Sequence, residues 1–125
     1  MRWIVDGMNV IGSRPDGWWK DRDGAMAALV ERLDSWASTQ EVEVTVVFER
    51  PPSSAIRSSV IEVASAPKPG ANSADDEIVR MIGADPRPAE IRVVTSDKAL
   101  ASRITSLGAS VYSAAGFRDL IDPRA

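Results

Sequence analysis

Hydrophobic positions along the chain switch between short β-branched runs and stretches with a helical period, the signature of an α/β fold. The first run, about Arg2 to Asp6, predicts strand one. Gly7 to Arg22, rich in Gly, Pro and charge, reads as a polar loop. Helix one is expected from about Gly24 to Thr39 with Asp23 as N-cap, because Met26, Leu29, Val30, Leu33 and Trp36 recur on one helical face. Val42 to Glu49 contains Val44-Thr45-Val46-Val47-Phe48, a run suited to a strand buried on both faces, and Pro51-Pro52 stops it. A weaker third strand covers Val60 to Ser65, and the segment from Ala66 to Asn72 must run over the surface.

Helix two begins at Ser73 and turns Ile78, Val79 and Ile82 inward. Strand four covers Ile91 to Thr95, and helix three runs from Asp97 to Leu107, closed by Gly108. Strand five is Ala109 to Tyr112; a last helix carries Phe117, Leu120 and Ile121 and stops at Pro123. Five strands and four helices in near-perfect alternation, joined by right-handed crossovers, predict one three-layer α/β/α domain over residues 1–125. Its mostly parallel five-stranded sheet is expected in the order 3-2-1-4-5.

Composition narrows the chemistry. A chain of 125 residues, 44% apolar, fits one domain that buries its own core without disulfides. The N-terminus lacks the apolar core of a signal peptide, and no run approaches the roughly 20 residues that span a bilayer, so a cytoplasmic, non-membrane protein is expected. The absence of Cys excludes thiol nucleophiles and thiolate metal sites. The absence of His excludes Ser-His-Asp triads and imidazole ligands. An enzyme with this inventory relies on carboxylates, which suit hard cations such as Mg²⁺ or Mn²⁺. A net charge of −3 argues against a passive nucleic-acid-binding module but not against a nuclease, because a bound cation restores local attraction for phosphate.

In open α/β sheets, ligands bind beyond the carboxyl ends of the strands, where strand order reverses. Asp6 ends strand one and Asp97 follows strand four, neighbours at that point in the expected order. Asp75, in the first turn of helix two, can reach the same crevice. Three carboxylates that converge repel one another unless a cation lies between them, and a divalent ion also activates water and polarises a phosphoryl group. Structural roles compete. Asp6 suits an Asx-turn with Gly7, and Asp97 or Ser96 suits an N-cap. Ser73 and Asp76 match a capping box.

Ile4-Val5-Asp6-Gly7-Met8-Asn9-Val10-Ile11-Gly12 resembles the opening of NYN-domain ribonucleases, the YacP-like group included, within the larger PIN-like nuclease fold. Ser73-Ala74-Asp75-Asp76-Glu77-Ile78 resembles the second acidic motif of that family, and Val94-Thr95-Ser96-Asp97 its third. The order and spacing agree from about Arg2 to Asp122. The resemblance implies metal-dependent hydrolysis of RNA phosphodiesters in RNA processing or turnover, leaving a 5′-phosphate and a 3′-hydroxyl. It implies Asp6, Asp75 and Asp97 as ligands of Mg²⁺ or Mn²⁺, and Asn9 as a residue that orients Asp6 or touches substrate. Two positions depart from the pattern: Glu49-Arg50 stands where the family often has Asp-Gly, and Ala99 where a further acid is common. A catalytically silent NYN-like domain that binds RNA or protein is the alternative.

RNA, single-stranded or with unpaired regions, is the expected partner, because Trp18 or Trp19 can then stack on a base while Arg14, Lys20 and Arg22 bind phosphates. Packing of one Trp over helix one is the plainer alternative. Lys68 and Arg118 are weaker phosphate candidates, and a homodimer with a longer RNA channel is a further expectation. A response-regulator receiver does not fit, since Gly7 follows Asp6 and no Asp ends strand three. An Asp-nucleophile phosphatase wants Asp-x-Asp where this chain has Asp6-Gly7-Met8.

Overall fold

β1 (Arg2–Asp6) is the central strand because its alternate residues supply both faces of the core. The computed structural model describes residues 1–68, 70 and 72–122. In it β1 is flanked by β2 (Glu43–Phe48) and β4 (Ile91–Val94), with β3 (Glu62–Ser65) and β5 (Ser110–Tyr112) at the edges. The order is β3-β2-β1-β4-β5 and every pairing is parallel, as expected from the alternating pattern. Asp6 pairs with Val47, and Val5 with both Val46 and Val94.

Five helices cover the sheet: α1 (Gly7–Ile11), α2 (Arg22–Gln40), α3 (Ser73–Ala84), α4 (Lys98–Ser106) and α5 (Ala114–Ile121). On one face Trp3, Val5, Val46 and Phe48 pack with α1, α2 and α5. On the other, Ile4, Val47 and Val93 pack with α3 and α4. Trp3 stacks on Phe117 at 5.6 Å between ring centroids and meets the edge of Trp36 at 5.1 Å. Among the described residues, no helix is long and apolar enough to cross a membrane.

The segment expected as a loop from Gly7 to Arg22 is largely structured. Gly7 begins a helix directly from β1, because Val10 and Ile11 bury their side chains and reward the turn. Gly7 lies against Phe48 so closely that a Cβ built on it would stand 2.5 Å from the ring. Trp18–Lys20 forms a 3₁₀ turn entered through Gly17 at φ 84°, a left-handed conformation suited to glycine. The N-cap of α2 is Asp21, whose carboxylate accepts from the Gly24 N–H at 3.0 Å; Asp23 lies inside the helix and accepts from the Ser53 N–H. α3 is not opened by a capping box. Asn72, at φ 63°, precedes it, and the Ser73 hydroxyl donates to the Gly70 and Glu49 carbonyls at 2.7 and 3.1 Å. In α5, Phe117 and Ile121 are buried, Leu120 faces outward, and Arg118 takes an inward place. Pro123 lies outside the described residues.

A carboxylate crevice as candidate active site

The carboxyl end of β1 brings Asp6 into the interior, where its side chain is only 6% exposed. Asp6 forms no capping bond with α1, so the Asx-turn alternative is not realised. Its Oδ2 accepts a hydrogen bond from the Thr95 hydroxyl at 2.9 Å. The Thr95 oxygen also accepts from the Asp97 N–H at 3.2 Å, which links the ends of β1 and β4 through one side chain. A Thr placed directly after a buried strand and two residues before an Asp is the sequence signal for this bridge.

Asn9, one turn into α1, accepts from the Ser96 N–H at 2.8 Å through Oδ1. Asn9 thereby fixes the loop that carries Asp97. Asp97 caps α4, its Oδ1 accepting from the Ala99 and Leu100 N–H groups at 2.9 and 3.1 Å. The rival cap Ser96 is used elsewhere: its hydroxyl accepts from the Ala114 N–H at 2.9 Å. Asp75, half-buried in the first turn of α3, completes the trio, while its neighbour Asp76 turns out to meet Arg103 at 3.1 Å.

Each of these acids feels the charge of the others. Burial pushes the Asp6 carboxyl up to about 6 against the pull of the Thr95 hydrogen bond, and the charges of Asp75, Asp97 and Glu49 raise it further. Asp75 is also raised, first by burial and then by Asp97, with Arg103 opposing and Asp76 and Glu49 adding. Four carboxylates from the ends of three strands and the start of one helix therefore share one field. Glu49, immediately after β2, is held by Arg22 at 3.1 Å. Glu49, Arg22, Arg50 and Gly70 line a cavity of about 230 Å³ beside the acids. Among the described residues, no three acidic side chains stand close enough to hold a metal ion as they are placed.

The basic and aromatic candidates separate. Arg14 is tied to Asp119 and Asp122. Arg22 faces the crevice through Glu49. Lys20 and Lys68 are exposed, with no ion pair among the described residues. Trp18 packs against the core cluster, and Trp19, 57% exposed, meets its edge at 5.9 Å. Arg118 is an internal clamp: its guanidinium donates to the Val10 and Ile11 carbonyls at 3.3 and 3.4 Å and to Asp16 at 3.1 Å. Sequence reading missed that role because the α5 periodicity offers Leu120 as an equally good inward residue.

The geometry can be set beside known proteins. No curated protein matches the sequence. Two solved structures of Rae1 (YacP) from Bacillus subtilis, one of a tryptophan-to-leucine mutant, match at TM-scores of 0.81 and 0.76. Each is 24% identical and covers 97% of this chain, which in turn covers 73% and 74% of theirs; at that identity the likeness establishes the fold. The model of the YacP-like NYN domain matches residues 3–124. NYN domains are nuclease-like, and their function is RNA-related. With nearly the whole chain inside that match, the protein belongs to the YacP-like NYN domain family.

Proposed function

We propose that the chain is a metal-dependent ribonuclease in which Asp6, Asp75 and Asp97 hold Mg²⁺ or Mn²⁺ while an RNA phosphodiester is hydrolysed. The observation that carries this reading is Asp6: a buried carboxylate, with no cationic partner among the described residues, in the field of three others. Such an arrangement costs stability in the absence of a counter-charge, and costly electrostatics concentrate at functional sites.

The donor set fits a hard cation, since it offers carboxylate oxygen alone and no sulfur or imidazole competes. As placed among the described residues the acids do not close round an ion, so holding one requires at least one of them to move inward. When bound, such a cation supplies Lewis acidity to the phosphoryl group and to an attacking water. The chain's own residues do the rest. Thr95 fixes the orientation of Asp6. Asn9 and the α4 N-terminus hold Asp97 in place. Arg22 is drawn to Glu49 at rest and is placed to meet phosphate when Glu49 turns to another partner. Lys20, Lys68 and Arg14 are the further phosphate contacts, of which Arg14 must first leave its acids.

Incubation of labelled single-stranded and structured RNA with Mn²⁺, Mg²⁺ or EDTA tests the reading, with Asp6→Asn/Asp97→Asn as control. Cleavage that needs the ion and vanishes in the variant supports it. RNA binding without cleavage or metal uptake selects the silent binding domain, the reading that the spread of the acids and Ala99 favour.

A further inference from the structure

A second cavity, of about 270 Å³, opens on the face of the molecule formed by α2 and α5. Its floor is Ile11, the last residue of α1, and Leu29 of α2. Ala25 and Ala28 leave it open, because larger residues at these positions of α2 would fill it. Trp18 forms a side of it, half-buried and held by the 3₁₀ turn after Gly17. Asp16 and Asp21 supply carboxylates, and Arg32 and Arg118 supply guanidinium groups.

These polar groups are only partly used. Asp21 gives Oδ1 to its own helix and Asp16 gives Oδ2 to Arg118; the second oxygen of each has no hydrogen bond among the described residues. Arg118 is 8% exposed; its Nε lies 3.5 Å from Asp122, and the edge of its guanidinium lines the cavity. Arg32 pairs with Asp122 at 3.1 Å through one nitrogen. An aromatic wall, an apolar floor, and acceptors beside donors match a flat heterocycle with both kinds of edge. The two Asp and two Arg side chains cancel in charge, so a bare phosphate finds little attraction there.

The cavity also has the right neighbours. Asp21 and Arg22 are consecutive; Asp21 lines this cavity, and Arg22 lines the one beside Glu49. α1 leads from Asp6 to the floor at Ile11, about 7–8 Å along a helix axis. A strand with its phosphate at the carboxylates therefore passes within reach of the cavity.

We propose that this cavity receives an unpaired nucleobase of the RNA strand, with guanine preferred, next to the phosphate held at the carboxylate crevice. Guanine presents N7 and O6 as acceptors to an arginine and N–H donors to a carboxylate, whereas cytosine and uracil leave more of Trp18 uncovered. The inference rests on the reading of RNA as substrate, and it is tested apart from cleavage.

Nitrogen-15-labelled protein in EDTA is titrated with 5′-GMP, 5′-AMP, 5′-CMP, 5′-UMP and inorganic phosphate, and amide and indole shifts are followed by NMR. The expected result is that 5′-GMP moves the Trp18 indole and the Gly17 and Ala25 amides, binding at least fivefold tighter than 5′-CMP. Inorganic phosphate leaves these signals in place. Ala28→Leu, on an exposed helix position, weakens 5′-GMP by tenfold or more, and Trp18→Ala serves as a second variant if the first loses its folded spectrum. Shifts confined to the surroundings of Asp6 and Glu49, equal responses to all four nucleotides, or 5′-GMP binding unchanged in the folded variants overturn the proposal. Because no cation is present, a chain that cuts RNA yet ignores 5′-GMP loses only the base site. One that binds 5′-GMP but never cuts RNA loses only the nuclease.

Discussion

Thr95 donates its hydroxyl hydrogen to Asp6 at 2.9 Å across a separation of 89 residues, and this one bond joins the ends of two neighbouring strands. Thr95→Val removes the hydrogen bond that pulls the Asp6 carboxyl down, so its titration moves further up from about 6. The Asp97 N–H loses its acceptor at the same time. Carbon-13 titration of Asp6 in EDTA measures the shift, and Thr95→Ser should return it. The stability cost is about 1.5–3 kcal/mol, the range for a hydrogen bond to a charged group.

Asp6→Asn should stabilise the metal-free protein while ending activity. The carboxyl is raised from 3.8 to about 6 in the fold, so folding favours its protonated form. Below pH 3.8 the group is protonated in both folded and unfolded chains and costs nothing. From there to about 6 the favourable contribution is lost, and above 6 the loss is complete, on the order of 3 kcal/mol. Urea unfolding in EDTA at pH 4.5 and 7.5 should show this decline in the wild type and a shallower one in the variant.

A divalent cation should reverse the same penalty. Mn²⁺ is expected to raise the wild-type Tm with a dependence on ion concentration, as for any ligand that binds the folded state alone. Asp6→Asn/Asp97→Asn should show no such rise, and EDTA should return the wild type to its starting value. A Tm that ignores Mn²⁺ at millimolar concentration removes the ion from the proposal.

Gly7→Ala tests the joint between β1 and α1. The added methyl would stand 2.5 and 2.7 Å from two carbons of Phe48, a ring with no exposed surface and nowhere to retreat. Overpacking of this kind costs about 1–3 kcal/mol, and the displaced α1 carries Asn9 with it. Thermal unfolding should reveal the first effect, and loss of RNA cleavage in excess of the unfolded fraction the second.

The strand order and the placing of Asp6 and Asp97 were legible in the sequence, because buried parallel strands read as unbroken β-branched runs and the acids sit directly after two of them. α1 was hidden. Five residues are too few for a helical period to show, and Gly7, which lets the helix start under Phe48, looks like a loop residue. Caps were misplaced by a residue or two at Asp21 and Asn72, where the deciding factor is backbone dihedrals that composition does not encode. The inward turn of Arg118 was equally opaque. Its partners are main-chain carbonyls of Val10 and Ile11, more than a hundred residues earlier.

The central place of β1 also sets a timetable. Its neighbour β2 follows within the first half of the chain, but β4 begins only at Ile91 and Asp97 comes later still. During synthesis Asp6 leaves the ribosome well before β4 and waits for a strand some 85 positions behind it. The carboxylate crevice therefore cannot form until β4 and Asp97 have been made. Any chemistry of the site begins only after the second half of the domain has been made, and a fragment that stops before Ile91 carries Asp6 without its setting.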